Sequence, residues 1–266
     1  MKRFELINET SRTSDLAVLL YFEKSDTYII EINHEADEDQ LPLILSSFYR
    51  KQMFTVDPSW SKRFVESRII PHDRQNLSSI LNRYHLKEYD TCRLLELSKG
   101  RCAQDDCALL PERQSKPWLL ERQNTNLNEA VLLRNGVLMI ECANAQLRYI
   151  SLDQLAHSTP HLQSLIQSGS LQQVDVLPGG YGISFNETHH IMKDELLRYT
   201  IDYQPDAQDL KQYYEQSVLT THDVCTILQC SRQYVNTLVK TNRLPVLKKQ
   251  DNIQLFLHSD VRRLLW

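Results

Sequence analysis

Glycine is scarce in this chain, with six in 266 residues. The phosphate cradle GxxxxGK[ST] does not occur, and neither GxSxG nor HExxH is present. The one glycine cluster, "PGGYG" (178–182), follows a strand-like stretch but opens no helical one, so it does not read as a dinucleotide fingerprint. On these grounds no enzyme and no cofactor is expected. Long apolar runs are missing too: none approaches the roughly 18 residues needed to span a bilayer. Lys2 and Arg3 are not followed by the apolar segment of a signal peptide. The six cysteines, at 92, 102, 107, 142, 225 and 230, lack the density and regular spacing of a disulfide framework. The expectation is a reduced, cytoplasmic protein with no membrane partner.

What is present is ordinary globular material, 41% hydrophobic and 24% charged, long enough for two or three domains. Residues 16–32, "LAVLLYFEKSDTYIIEI", place two β-rich apolar runs around the turn Glu23-Lys24-Ser25-Asp26 and predict a hairpin. Helical spacing follows, with Leu41, Ile44 and Phe48 on one face, then Leu77, Ile80, Leu81 and Tyr84 on another. Gly100 suits the end of a helix after Lys99. Asn135-Gly136 between apolar runs predicts a second hairpin, and "LQQVDVLPGGYGISF" predicts a further strand pair broken at Pro178-Gly179-Gly180. The pattern implies an α+β, multidomain chain: an N-terminal α+β domain (1–111), a β-hairpin-rich α+β domain (112–200), a linker helix (201–217) and a C-terminal module (218–266).

The charge is uneven. Residues 218–266 carry seven basic side chains (Arg232, Lys240, Arg243, Lys248, Lys249, Arg262, Arg263) against three acids (Asp223, Asp251, Asp260), a net of +4. The whole chain is at −4, so the rest stands at −8. A basic module on an acidic body is the asymmetry of a protein that meets phosphate with one part only.

The stretch "LTTHDVCTILQCSRQYVNTLVKTNRLPV" (219–246) carries the functional argument. Thr220 or Thr221 can cap a helix with Val224, Ile227 and Leu228 inward, Gln229-Cys230 breaks it, and Ser231 can cap a second. In that second helix Val235, Leu238 and Val239 share one side, while Gln233, Asn236, Thr237 and Lys240 fall opposite and Arg232 and Tyr234 flank them. Amide side chains suit adenine edges, cations suit guanine or phosphate, and no acid lies on this helix. A short strand, the turn Gln250-Asp251-Asn252, a returning strand from Ile253 to Phe256 and a final helix capped by Ser259 complete the expected module.

The order helix, turn, helix, "RLP", basic hairpin, "SDV" and "LL" closely resembles the excisionase and MerR-type winged helix-turn-helix. The resemblance implies double-stranded DNA as partner, with Arg232, Gln233, Asn236, Thr237 and Lys240 in the major groove and Arg243, Lys248 and Lys249 on the backbone. Two positions depart from the family: Gln229 stands where a turn glycine is usual, and Asn242 where a glycine precedes "LP". Residues 128–198 resemble, more faintly, a small bacterial domain family of unknown function, through "RNGVLMIE", "ISLDQL", "GGYGISFNETHHI" and "KDELL". That resemblance implies a fold and hardly a function.

The leading expectation is thus a sequence-specific transcriptional regulator, acting as a homodimer, whose residues 1–200 bind a protein partner or self-associate. Alternatives are an antitoxin-like or inhibitor protein that uses the module for autoregulation, and an architectural excisionase-like factor. No metal site is expected. His222, Cys225 and Cys230 lack a second ligand half, and Cys102 and Cys107 flank Asp105-Asp106 without an obvious fourth ligand. His189-His190 reads as a surface pair at a strand end.

Overall fold

The computed structural model describes residues 1–167, 174–185, 189–251 and 253–266. Its sheets are antiparallel and mixed with helices, an α+β arrangement in two compact units, Met1–Arg122 and Gln123–Trp266.

The first unit is built on β1 (Lys2–Asn8), β2 (Thr13–Phe22) and β3 (Thr27–Ile32), followed by α1 (Leu43–Arg50), β4 (Thr55–Val56), α2 (Pro58–Glu66), α3 (Leu77–Arg83), α4 (Thr91–Ser98) and β5 (Cys107–Pro111). The sheet order is β4-β3-β2-β1-β5. The hairpin expected at 16–32 is β2 paired with β3, and the run Leu16–Leu20 is buried throughout, so this central strand is covered on both faces. Pro42 delays α1 by a residue or two, and Leu41 is buried just ahead of it. Asp57 starts α2 by accepting from the backbone N–H groups of Ser59 and Trp60, with Pro58 in the first helical position. At the end of α4 both Lys99 and Gly100 are left-handed. The unit runs past Pro111 into α5 (Pro117–Gln123).

The second unit holds β6 (Leu127–Leu132), β7 (Val137–Cys142), β8 (Leu147–Ser151), α6 (Leu152–Ser158), α7 (Pro160–Gln167), β9 (Val174–Val176), β10 (Gly182–Phe185), β11 (His189–Met192), α8 (Lys193–Leu196) and β12 (Thr200–Ile201). They form two small sheets, β12-β8-β7-β6 and β11-β10-β9. Asn135 and Gly136 are both left-handed in the three-residue connection Arg134–Gly136 between β6 and β7, a conformation that asparagine and glycine tolerate. Gly180 is required sterically, since a Cβ there would sit 2.4 Å from the carbonyl oxygen of Leu127. Residues 171–173 and 186–188, expected within a strand and the quoted motif, lie outside the described residues.

The same unit continues through α9 (Ala207–Ser217), β13 (Val218–Thr220), α10 (Thr221–Ile227), α11 (Arg232–Lys240), β14 (Lys248–Gln250), β15 (Ile253–Leu257) and α12 (His258–Arg263), with sheet order β13-β15-β14. One local expectation is corrected. Ser259 does not cap α12: Leu257 holds that place without a side-chain bond, and Ser259 is buried in the first turn because the strand β15 runs directly into the helix.

Candidate nucleic-acid interface

The site is assembled by two short helices and the turn between them. Thr220 and Asp223 form a reciprocal cap on α10: Thr220 N–H donates to Asp223 Oδ2 at 2.8 Å, and Asp223 N–H donates to Thr220 Oγ1 at 3.4 Å. The Thr220 hydroxyl also donates to Asp223 Oδ2 at 2.7 Å, and this bond, with the one from the Thr220 N–H, holds the Asp223 carboxyl below the usual carboxylate range. At the far end Gln229 adopts a left-handed backbone, with φ of 48°. Cys230 N–H donates to Cys225 O at 3.0 Å and Gln229 N–H to Thr226 O at 3.3 Å, the paired bonds of a Schellman end. Ser231 then opens α11 by accepting from Tyr234 N–H at 3.3 Å.

Val235 and Leu238 on α11 are buried with Val224, Leu244, Phe256 and Val261 in one apolar cluster. Burying each such side chain contributes about 1.5–3 kcal/mol, which fixes which face of the helix points away. On that outward face Arg232, Gln233, Asn236, Thr237 and Lys240 are all exposed. A second Schellman end closes α11, where Asn242 is left-handed at φ 54° and Arg243 N–H donates to Leu238 O at 2.8 Å. Arg243 is exposed beyond it.

The hairpin of β14 and β15 pairs Lys248 with Leu255, Lys249 with Gln254 and Gln250 with Ile253. Lys248 and Lys249 are exposed, and Asp251 is left-handed at the tip. Asn252 of the expected turn lies outside the described residues. A cleft of about 420 Å³ opens between the start of α10, the outward face of α11 and β15, lined by Thr220, His222, Arg232, Asn236, Ile253 and Gln254.

Electrostatically the face is unspent. Among the described residues, Arg232, Lys240, Arg243, Lys248 and Lys249 make no ion pair and no side-chain hydrogen bond, and the amides of Gln233 and Asn236 are equally free. Thr237 is engaged only locally, its hydroxyl donating to Gln233 O at 3.0 Å. The eight residues singled out in the sequence therefore fall into two exposed groups, one on α11 and its end, one on the hairpin. Gln254 and Ile253 were missed, although period-two alternation along β15 places Gln254 opposite Lys249. His222 was weighed only as a metal ligand, yet it lines the cleft. Among the described residues no group of three or more His, Cys, Asp or Glu side chains is placed to hold a metal ion.

The module is fastened to the rest of its unit through a buried charge cluster. Arg262, 6% exposed, donates to Glu129 Oε1 at 2.7 Å and to Asn128 O at 3.2 Å, and His258 Nδ1 lies 3.4 Å from Glu129 Oε2. Burial pushes the Glu129 carboxyl up, but the neighbouring His258 and the Arg262 guanidinium outweigh that and hold it below the usual range. Arg263 Nη2 donates to Asn128 Oδ1 at 2.6 Å. From α9, Gln212 donates to Leu132 O at 2.7 Å and Tyr213 to Glu141 Oε2 at 2.8 Å. No helix among the described residues is long and apolar enough to cross a membrane. Compared with protein-family models, with curated proteins and with solved structures, the chain finds no match in any of the three.

Proposed function

We propose that residues 218–266 form a winged helix-turn-helix that reads double-stranded DNA, and that the protein is a sequence-specific transcriptional regulator. The observation that carries this reading is the set of five exposed cations and two free amides on α11 and the hairpin, with no internal partner. Unpaired cations arranged on one surface are what a phosphate backbone needs. Two amides with an arginine on a helix are what base edges need. An α-helix such as α11, about 10–12 Å across with its side chains, fits a major groove about 12 Å wide.

In this reading Arg232, Gln233, Asn236, Thr237 and Lys240 face the groove, while Arg243, Lys248 and Lys249 hold the backbone. A single reading helix covers few base pairs, so two copies would act on half-sites about 34 Å apart. Residues 1–200 would then supply self-association or a protein partner. The test is a fluorescence-anisotropy titration of the whole protein with the DNA upstream of its own coding sequence and with a scrambled duplex, at two salt concentrations. The reading expects selective binding whose log affinity falls with log salt at a slope of about −3 to −5 per bound copy, from three to five phosphate contacts in each. Equal affinity for both duplexes, or none, would move the function to the remainder of the chain.

A further inference from the structure

The turn that aims α11 carries two thiols. Cys225 lies in the last full turn of α10 and Cys230 one residue before the cap Ser231, and the Cys230 N–H bonds the Cys225 carbonyl at 3.0 Å. That closure holds the two residues across one tight turn, the helix end at which their side chains commonly meet, and a disulfide needs Cα atoms about 4.4–6.8 Å apart. Both side chains border the apolar cluster of the module, and both are partly exposed, whereas Cys92, Cys107 and Cys142 are buried. We propose that Cys225 and Cys230 form a reversible disulfide across this turn, with a small-molecule disulfide such as oxidised glutathione as oxidant, and that the bond weakens DNA binding. The second half rests on the function proposed above, and the first does not.

The chemistry is thiol–disulfide exchange. One cysteine thiolate attacks a sulfur of oxidised glutathione, forming a mixed disulfide and expelling a glutathione thiolate. The second cysteine thiolate then attacks the protein sulfur of that mixed disulfide and expels the other glutathione. The two protein thiols lose two protons and two electrons, and the oxidant becomes two glutathione thiols. Partial burial and the neighbouring Cys225 push the Cys230 thiol up. Since only thiolate attacks, the bond forms slowly at neutral pH and faster as pH rises. Arg232 and Gln233 follow Cys230 by two and three residues. Drawing the two sulfurs into a bond of about 2.05 Å pulls on the turn and re-aims the first turn of α11, where those side chains sit.

The chain holds its own control. Cys102 and Cys107 share the same spacing, but Cys107 lies in β5 at 2% exposure, and burial pushes its thiol up to about 12. That pair stays unreacted while the fold lasts.

The experiment uses the full chain in a glutathione redox buffer, quenched by acid, alkylated at free thiols and digested with trypsin. Residues 212–232 form one tryptic peptide holding both cysteines. Mass spectrometry is expected to show it first to escape alkylation, lighter by two hydrogens. In the same samples anisotropy is expected to show DNA affinity lower by about tenfold, within the usual range for coupled sites, and restored by dithiothreitol. Cys225→Ser and Cys230→Ser should each stop at a single glutathione adduct, and the double variant should bind DNA identically with and without oxidant. A stable glutathione adduct on the wild-type peptide, or no reaction before unfolding, overturns the disulfide. A crosslink that leaves DNA affinity unchanged overturns the coupling. If the reduced protein shows no selective binding, the DNA reading falls, and the peptide mapping still decides the disulfide.

Discussion

A set of charges in the first unit is spent on the fold, whereas a set in the C-terminal module is not. In Met1–Arg122, Arg68 bonds Asp105 at 2.5 Å, Arg122 bonds the fully buried Glu31 at 2.5 Å, Lys116 bridges Glu5 and Asp15, and Arg101 clamps Glu9. In the module the buried Arg262 is likewise paired with Glu129, and on the surface Arg263 pairs with Asp260. The five on α11 and the hairpin are not. A paired, buried charge contributes to the fold and is costly to uncover. An exposed, unpaired one contributes almost nothing to the fold and is available to a ligand. Removing charge from the two sets should therefore move different observables.

The largest effect is expected on the paired side. Glu129→Ala should cost about 3–5 kcal/mol of unfolding free energy in urea titrations, because it strands the buried Arg262 guanidinium, and Glu31→Ala somewhat less, because Arg122 is only partly buried. The Glu129 cluster also carries a pH signature. Its folded pKa is depressed, so its stabilisation is full above the ordinary carboxylate range and fades as pH falls through that range toward the folded value. The stability gap between wild type and Glu129→Gln should narrow as pH drops below about 5. A gap that widened on acidification would reverse the assignment.

Next come the unpaired groups. Asn236→Ala and Arg232→Ala should lose about 1–3 kcal/mol of preference for the cognate over the scrambled duplex, with stability within about 0.5 kcal/mol of wild type. Equal losses on both duplexes would remove either residue from base reading. Gln229→Gly should raise the unfolding free energy by about 1 kcal/mol, since the left-handed backbone there strains any side chain. The smallest change belongs to Lys248→Ala and Lys249→Ala, each lowering the magnitude of the salt slope by about one without altering preference.

Much of the module was readable before folding because its signals are local. Thr220, Ser231, the period of Val235 and Leu238, and the turn-forming Asn242 each act within a few residues, and all hold the places expected of them. Gln229 shows the limit of composition: the backbone turns left-handed there without glycine, because the two Schellman bonds and the packing on either side compel it. The anchoring cluster was not legible at all. Glu129 and Arg262 lie 133 residues apart, and nothing in the local pattern of either tells it to be buried. In the first unit the hairpin at 16–32 was plain, whereas the strand order that puts β5 beside β1 depends on long-range pairing. The cleft was likewise hidden, since it joins α10, α11 and β15 from separate stretches.

The fastening of α12 to β6, together with α9 lying against Leu132 and Glu141, ties the module to the sheet β12-β8-β7-β6 at two places. In the proposed reading, the bearing of α11 around a duplex is inherited from the sheet that carries the module. For a pair of copies this turns stiffness into a rule of phase. Half-sites separated by whole turns of about 10–10.5 base pairs present the same side of the DNA to both reading helices, while an extra half turn carries the second half-site to the far side. A hinged module would forgive that insertion, and one bolted through Arg262 would not.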